Sequence, residues 1–480
     1  MANSIFWYDY ETFGTDPRYD RLAQFAGLRT DEDLNVIDDP LVMYCQPAND
    51  MLPDPVACLI TGITPQKALA EGLIEADFIG AIHREFSKPN TCVAGYNNIR
   101  FDDEFTRHTL YRNFFNAYSH EWQHGNSRWD IIDMVRLTRA LRPEGIIWPV
   151  TDDGKPSNRL ELLTTANGIS HEAAHDAMSD VYATIAIARL IRDRQPRLYD
   201  YVYKLRKKNA IAKQLNLRTH DAVLHVSAKY SMARHSIAVV MPICQHPVNK
   251  NGVMVYDLAI DPQPFIDSDV DEIAASIFTP ASKLPEGVSR IPLKTVHLNK
   301  CPVVVPLKTM DDEAAERLNI DVAQNLHHRA SLLQHIDALE QKTRQVFDHQ
   351  DYPDVSDPDA QLYSGGFFSN SDSSRMQQLQ QNTPEQLATV NMRFDDKRIP
   401  EMLFRYRARN YPETLSSEEK QQWNEYRKQK FNDPACGNRT LNQVKARIDE
   451  LRIDPNVTGN QLAVLDELAK YLQQPDFLPQ

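Results

Sequence analysis

The chain has 480 residues, 42% hydrophobic and 25% charged, an ordinary globular composition that excludes a disordered chain, a collagen-like fibre and a disulfide miniprotein. Its 53 Lys and Arg against 66 Asp and Glu leave a formal charge of −13, which argues against non-specific coating of nucleic acid unless basic residues are locally concentrated. Six scattered cysteines without a CxxC pair, an N-terminus with no basic leader and no apolar run near the roughly 20 residues of a membrane helix point to a reduced, cytoplasmic protein.

In chain order, SIFWYDYETFG and TCVAGYNNI are aromatic or β-branched runs ended by Gly or Asn, and predict buried strands. HEAAHDAMSDVYATIAIARLIRDR spaces Ala, Ile and Leu as a long helix does. Strands alternating with helices over 1–190 predict an α/β layer domain. A basic linking helix is expected over 191–221. AVLHVSA, SIAVVMPI, GVMVYDLAI and TVHLNKCPVVVPL are short strands at barrel-like spacing, so 222–350 is expected to be a β-barrel with a helical end. After the acidic, Pro-containing break DYPDVSDPD, residues 351–480 are expected to be helical. No GxxxxGK[ST] or GxGxxG loop is present to cradle a nucleotide's phosphates.

Asp9 and Glu11 lie two apart in the first strand, so period 2 puts them on one face. Alone, such a pair also fits a solvated strand end. Here Phe6, Trp7, Tyr8, Tyr10 and Phe13 surround it, and a buried acidic pair needs a positive partner. Asp102 follows the second strand, although Asp103 and Glu104 beside it also suit a solvated helix start. Asp180 sits inside the Ala-rich helix. His175 is five residues earlier, about 500° of helix rotation, so the two cannot share a stripe, and His175 is expected at or before the helix start. Four carboxylates and a histidine are what two-metal phosphodiester cleavage requires. Hard oxygen ligands suit Mg²⁺ or Mn²⁺, and a near-neutral histidine can take a proton from the attacking water.

DYETFG at 9–14, NNIRFDDE at 97–104 and HDAMSDVYAT at 175–184 resemble the three exonuclease motifs of the DEDD superfamily, with the histidine-to-aspartate spacing of its histidine subclass. NSRWDIIDMVRLTRALRPEGIIWP, DAQLYSGGFFS and LFRYRARNYPETL resemble the bacterial exonuclease I family. The resemblance spans nearly the whole chain and is weakest after about residue 432.

It implies a ribonuclease H-like nuclease domain with a mixed central sheet, a Src-homology-3-like barrel and a helical domain, together C-shaped around the strand and acting as a monomer. It implies processive 3′→5′ hydrolysis of single-stranded DNA to 5′-mononucleotides, in DNA repair and recombination. Asp9, Glu11, Asp102 and Asp180 would hold two Mg²⁺ ions, with Mn²⁺ able to substitute, Glu11 would also contact substrate, and His175 would be the general base.

Between the second and third motifs, arginines alternate with aromatics: Arg107, Tyr111, Arg112, Tyr118, Trp122, Arg128, Trp129, Arg136 and Arg142. Guanidinium groups meet phosphates and rings stack on bases, though Trp129 and Tyr111 equally suit a core. Arg159 matches a substrate-contacting position of the family, and a bidentate fork suits phosphate. Residues 189–220 hold ten basic residues against Asp193 and Asp200, a local charge of +8. An acidic exterior around a basic groove is therefore expected. The family docks the acidic tail of single-stranded DNA-binding protein, and Arg142 and Tyr201 match two positions of that pocket.

Two readings from other classes compete. SHEWQHGN carries HExxH at His120, Glu121 and His124, which on a helix can bind zinc and make a metalloprotease, but no third ligand follows at the usual spacing. The other is a non-catalytic module that binds single-stranded DNA.

Overall fold

The structure is a computed structural model that describes residues 3–171, 176–284, 290–348 and 355–474. Two compact units emerge. The first combines Met1–Ser127, His171–Tyr182 and Pro353–Gln480; the second combines Arg128–Ser170 and Ala183–Tyr352.

In the first unit β1 (Ser4–Thr12) pairs antiparallel with β2 (Leu22–Thr30) and parallel with β4 (Thr91–Gly95), while β3 (Leu41–Tyr44) lies antiparallel on the outer side of β2. The sheet is therefore mixed, as expected. Phe6, Tyr8 and Tyr10 alternate onto one face of β1. There they pack with Phe25, with Phe78, Ile79, Ile82 and Phe86 of the helix Glu75–Phe86, and with Phe105 and Leu110 of the helix Asp102–Arg112. Period 2 then sends Asp9 and Glu11 to the opposite face. A bulge between Glu11 and Thr12 shifts the pairing with β2 just after the acidic pair, a device that re-aims side chains at a strand end.

Gly95 ends β4 where a Cβ would stand 3.0 Å from the Tyr8 carbonyl. Glycine lets the two strands close up beside Asp9. Asn97 then takes a left-handed φ of 63°, a short turn follows, and the helix begins at Asp102.

The C-terminal helices Leu441–Arg452 and Gly459–Tyr471 bring Val444, Ile448, Leu451, Leu465, Leu468 and Tyr471 against Phe13, Ala23, Met51, Leu52 and Cys58. These two helices are thus part of the core that Phe13, just past β1, also enters.

β5 (Ser127–Asp130) spans the division between the units. In the second unit β6 (Val223–Val226), β7 (Ile237–Gln245), β8 (Gly252–Asp257), β9 (Leu293–His297) and β10 (Val304–Pro306) form an antiparallel sheet in the order β10-β6-β7-β8-β9. The expected Src-homology-3-like domain is built on an open sheet: among the described residues β9 and β10 are its two edges. The run TVHLNKCPVVVPL, expected as one strand, is cut at Cys301, whose φ of 45° no strand accommodates. Its halves fall at opposite edges.

The basic linking segment is two helices, Pro196–Leu205 and Lys208–Gln214. They place Leu205, Ile211 and Leu215 against Val223, Val240 and Val255 of the sheet. The six cysteines are free thiols. Among the described residues no helix is long and apolar enough to cross a membrane.

Candidate active site

Asp9, Glu11 and Asp180 converge: each offers a carboxylate oxygen, and these oxygens all lie within 4.8 Å of one another. The first two come from β1. The third comes from the first turn of the helix Ala177–Arg194. Asp176 begins that helix from just outside it, accepting the Ser179 N–H at Oδ2 (3.3 Å) and the Asp180 N–H at its carbonyl (3.1 Å).

Asp102 opens its own helix, where the N-terminal end of the helix dipole favours an anion. Tyr8, the neighbour of Asp9 on β1, donates its hydroxyl to Asp103 at 2.5 Å, and so ties the Asp102 helix to β1.

The electrostatics are those of a buried cluster of carboxylates. Burial, then the charges of Asp180, Asp102 and Asp176, push Glu11 up to about 9. Burial, then Asp102, Glu11, Asp180 and Asp176, hold the Asp9 carboxyl well above the usual carboxylate range. Buried like charges at this separation are costly unless neutralised, and an all-carboxylate oxygen set fits a hard divalent cation. The residues present therefore fit the metal that the motifs imply.

His171 also enters the site. Its Nε2 lies 2.6 Å from Asp180 Oδ1. Neither His171 nor Asp176 was among the residues expected from the sequence. An Asp just ahead of an Ala-rich helix carries an N-cap signal; His171 reaches the site through tertiary folding and carries none. His175 lies outside the described residues.

The residues expected to grip DNA are placed in different ways. Arg107 is buried, with Nε on Glu121 (2.7 Å), Nη1 on Glu104 (2.8 Å) and its guanidinium 5.5 Å from the centre of the Tyr118 ring. Two carboxylates hold it beneath Tyr118, and it supports that ring. Arg112 is buried on Glu75 at 2.8 Å, and Tyr111 is core. Trp122 is 65% exposed.

Phe367, which sequence reasoning did not single out, is 91% exposed and meets Tyr118 edge-on, with ring centres 6.3 Å apart. Both line a cleft with Phe368 and Tyr111.

In the second unit Trp129 is core, packed on Tyr199 and Tyr203. Arg136 pairs with Asp133 at 2.6 Å, and the exposed Arg159 pairs with Glu161. Arg142 donates to the Thr309 carbonyl at 2.9 Å and meets Asp311 at 3.4 Å. Tyr201 is half-buried.

The HExxH segment does not form a zinc-protease helix. Ser119–Glu121 and Gln123–Gly125 are separate short turns, and His124 has a φ of 54°. His120 and His124 therefore do not stand one turn apart on a common face, and Glu121 is taken by Arg107. Among the described residues the acidic triad is the group that could hold a metal.

Three family descriptions match consecutive parts of the chain: an exonuclease over 6–188, an exonuclease I SH3-like domain over 206–349 and an exonuclease I C-terminal domain over 356–475. The chain belongs to the exonuclease I family. Exodeoxyribonuclease I of Haemophilus influenzae is 44% identical over 470 residues, covering 98% of each chain. That of Escherichia coli is 46% identical over 432 residues, covering 90% of each.

Among solved structures, exonuclease I of Methylocaldum szegediense superposes with a TM-score of 0.94 at 52% identity, covering 98% of this chain and 99% of that one. The Escherichia coli enzyme in complex with a dA16 oligonucleotide also gives 0.94, at 44% identity with the same coverage. As a member of the exonuclease I family the chain is a phosphodiester hydrolase of the exodeoxyribonuclease type.

Proposed function

We propose that this chain hydrolyses single-stranded DNA processively from its 3′ end, releasing 5′-mononucleotides, with two Mg²⁺ ions held by Asp9, Glu11, Asp102 and Asp180. The observation that carries this reading is the convergence of Asp9, Glu11 and Asp180 to within 4.8 Å on the face of β1 opposite its aromatic core. When bound, the cations supply Lewis-acid polarisation of the phosphate and neutralise its developing charge. The carboxylates orient them, and Glu11 also faces the terminal nucleotide. His175 takes the proton from the attacking water. Tyr118, Trp122 and Phe367 stack on bases, Arg107 braces Tyr118, and Arg136 and Arg159 meet phosphates.

The relatives support the substrate: Escherichia coli exonuclease I is solved with dA16 and with 5cy-dT13 oligonucleotides. Arg142 and Tyr201 form part of a site for the acidic C-terminal tail of single-stranded DNA-binding protein. A pull-down that captures an intact and a tail-less partner equally would remove this assignment.

The test is nucleotide release from 3′-labelled single-stranded DNA with Mg²⁺ and with EDTA. Asp9→Ala and Asp180→Ala are expected to abolish release, and His124→Ala to leave it near normal. His175→Ala is expected to slow it about 10²–10⁴-fold, the usual contribution of general base catalysis. Retained binding without release in the unmodified protein, or release that survives EDTA, would overturn the reading.

A further inference from the structure

Asp180 is held at two levels. Its backbone is fixed by the first turn of the helix Ala177–Arg194, where its N–H reaches the Asp176 carbonyl. That bond leaves the side-chain torsions free. His171 removes this freedom. Its Nε2 is 2.6 Å from Asp180 Oδ1, and its side chain is only 3% exposed against 18% for Asp180. A carboxylate oxygen accepts, so the ring nitrogen donates. The bond engages one of the two Asp180 oxygens and restrains the carboxylate's orientation. Asp9, Glu11 and Asp180 share a site less than 5 Å across, so a carboxylate that swings would carry its oxygen out of the set.

We propose that His171 is a positioning residue for Asp180. It orients this carboxylate so that Asp9, Glu11 and Asp180 take up a divalent cation together. The proposal rests on the metal-site reading above. It assigns His171 no proton transfer and no contact with DNA. Hydrogen-bond partners behind metal ligands commonly set affinity by 10- to 100-fold.

The experiment titrates Mn²⁺ into the metal-stripped full-length protein and follows the free-ion signal by electron paramagnetic resonance. His171→Ala and His171→Met remove the donor, the second while filling the space. His171→Gln extends an amide donor in its place, and Asp180→Ala is the reference. Ala and Met are expected to weaken Mn²⁺ binding by about 10- to 100-fold, and Gln to restore it close to the unmodified value. DNA digestion by the Ala and Met variants is expected to recover when Mn²⁺ is raised above the weakened Kd.

Unchanged Mn²⁺ affinity in both donor-free variants, with affinity lost in Asp180→Ala, would overturn the proposal and leave the metal site standing. A rate defect that persists at saturating Mn²⁺ would overturn it too, because His171 would then act in the chemistry. Normal Mn²⁺ binding by Asp180→Ala would overturn the metal-site reading itself.

Discussion

Phe367 is a large apolar ring with almost all of its surface in solvent, edge-on to Tyr118, which in turn sits over the buried Arg107. Truncating it exposes no core, so Phe367→Ala is expected to leave unfolding stability within about 0.5 kcal/mol. If the ring carries a base, the same change costs about 1–3 kcal/mol of DNA affinity. Fluorescence anisotropy of a labelled oligonucleotide with the metal chelated measures this, and an unchanged Kd would remove Phe367 from the DNA surface. At this scale Asp9, Glu11 and Asp180 were legible because each breaks a local rule: a charge among strand aromatics at Asp9 and Glu11, a charge on an apolar helix at Asp180. Arg107 and Arg112 were less legible. Alternation with aromatics is the same whether an arginine faces phosphate or, as both do, a glutamate. His171 carried no signal, because its partner is chosen by the fold.

The turn that leaves β1 is an element whose support comes from the far end of the chain. Asp20 Oδ1 accepts from Arg439 at 2.6 Å and from Asn438 at 2.9 Å, while Oδ2 accepts the Asp16 N–H at 2.9 Å. A Cβ on Gly14 would stand 2.2 Å from that same Oδ2, so the turn closes directly onto the Asp20 carboxylate. Arg439→Ala leaves a buried carboxylate short of its counter-charge. It is expected to cost about 3–5 kcal/mol in urea unfolding, the usual result of breaking a buried pair. Arg439→Lys, which keeps the charge, is expected to cost less; equal stability of the Ala variant would show that the contact carries no weight. Residues beyond 432 were the least informative part of the sequence, since polar helices with few apolar positions do not say what they pack on. The same limit hid the edges of the second sheet. Valine-rich runs predicted strands correctly, but only the left-handed Cys301 decides that β9 and β10 separate and leave the sheet open.

For the molecule as a whole, net charge was a poor guide to ligand: the +8 of residues 189–220 leaves −21 on the other 448. Pairing matters more than the sum. The first unit is tied by buried ions from distant parts of the chain. Asp50 holds Arg409 and Lys430, each at 2.9 Å, Glu75 holds Arg112 at 2.8 Å, and Asp359 holds Arg409 at 2.6 Å. Although burial opposes ionisation, Arg112 and Arg21 bring Glu75 down to about 2, and Arg409 and Lys430 hold Asp50 well below the usual carboxylate range. Two histidines, His108 buried and His83 half-buried, act in the same sense. Burial, then Arg84, lowers His83 to about 4, and burial, then Arg112, lowers His108 to about 3. All four groups bind protons more readily in the unfolded chain, so their contribution falls as pH falls, whereas Glu11 and Asp9, held above the usual carboxylate range, add stability on the way down to about 4.5. The histidine contribution is complete above the unfolded value of 6.5 and is lost on the way down to about 4 and 3. The carboxylate contribution is complete above the ordinary Glu value of 4.5 and is lost towards 2. For Glu75 alone this is on the order of 3 kcal/mol. Chemical denaturation at a series of pH values is therefore expected to show little change between about pH 6.5 and 4.5, where the raised Asp9 and Glu11 carboxyls offset the histidines, and a decline below about 4.5. Glu75→Gln is expected to be less stable at neutral pH and to flatten the lower limb. A variant whose stability runs parallel to the unmodified protein down to pH 2 would show that the Glu75 pair does not set the acid limit.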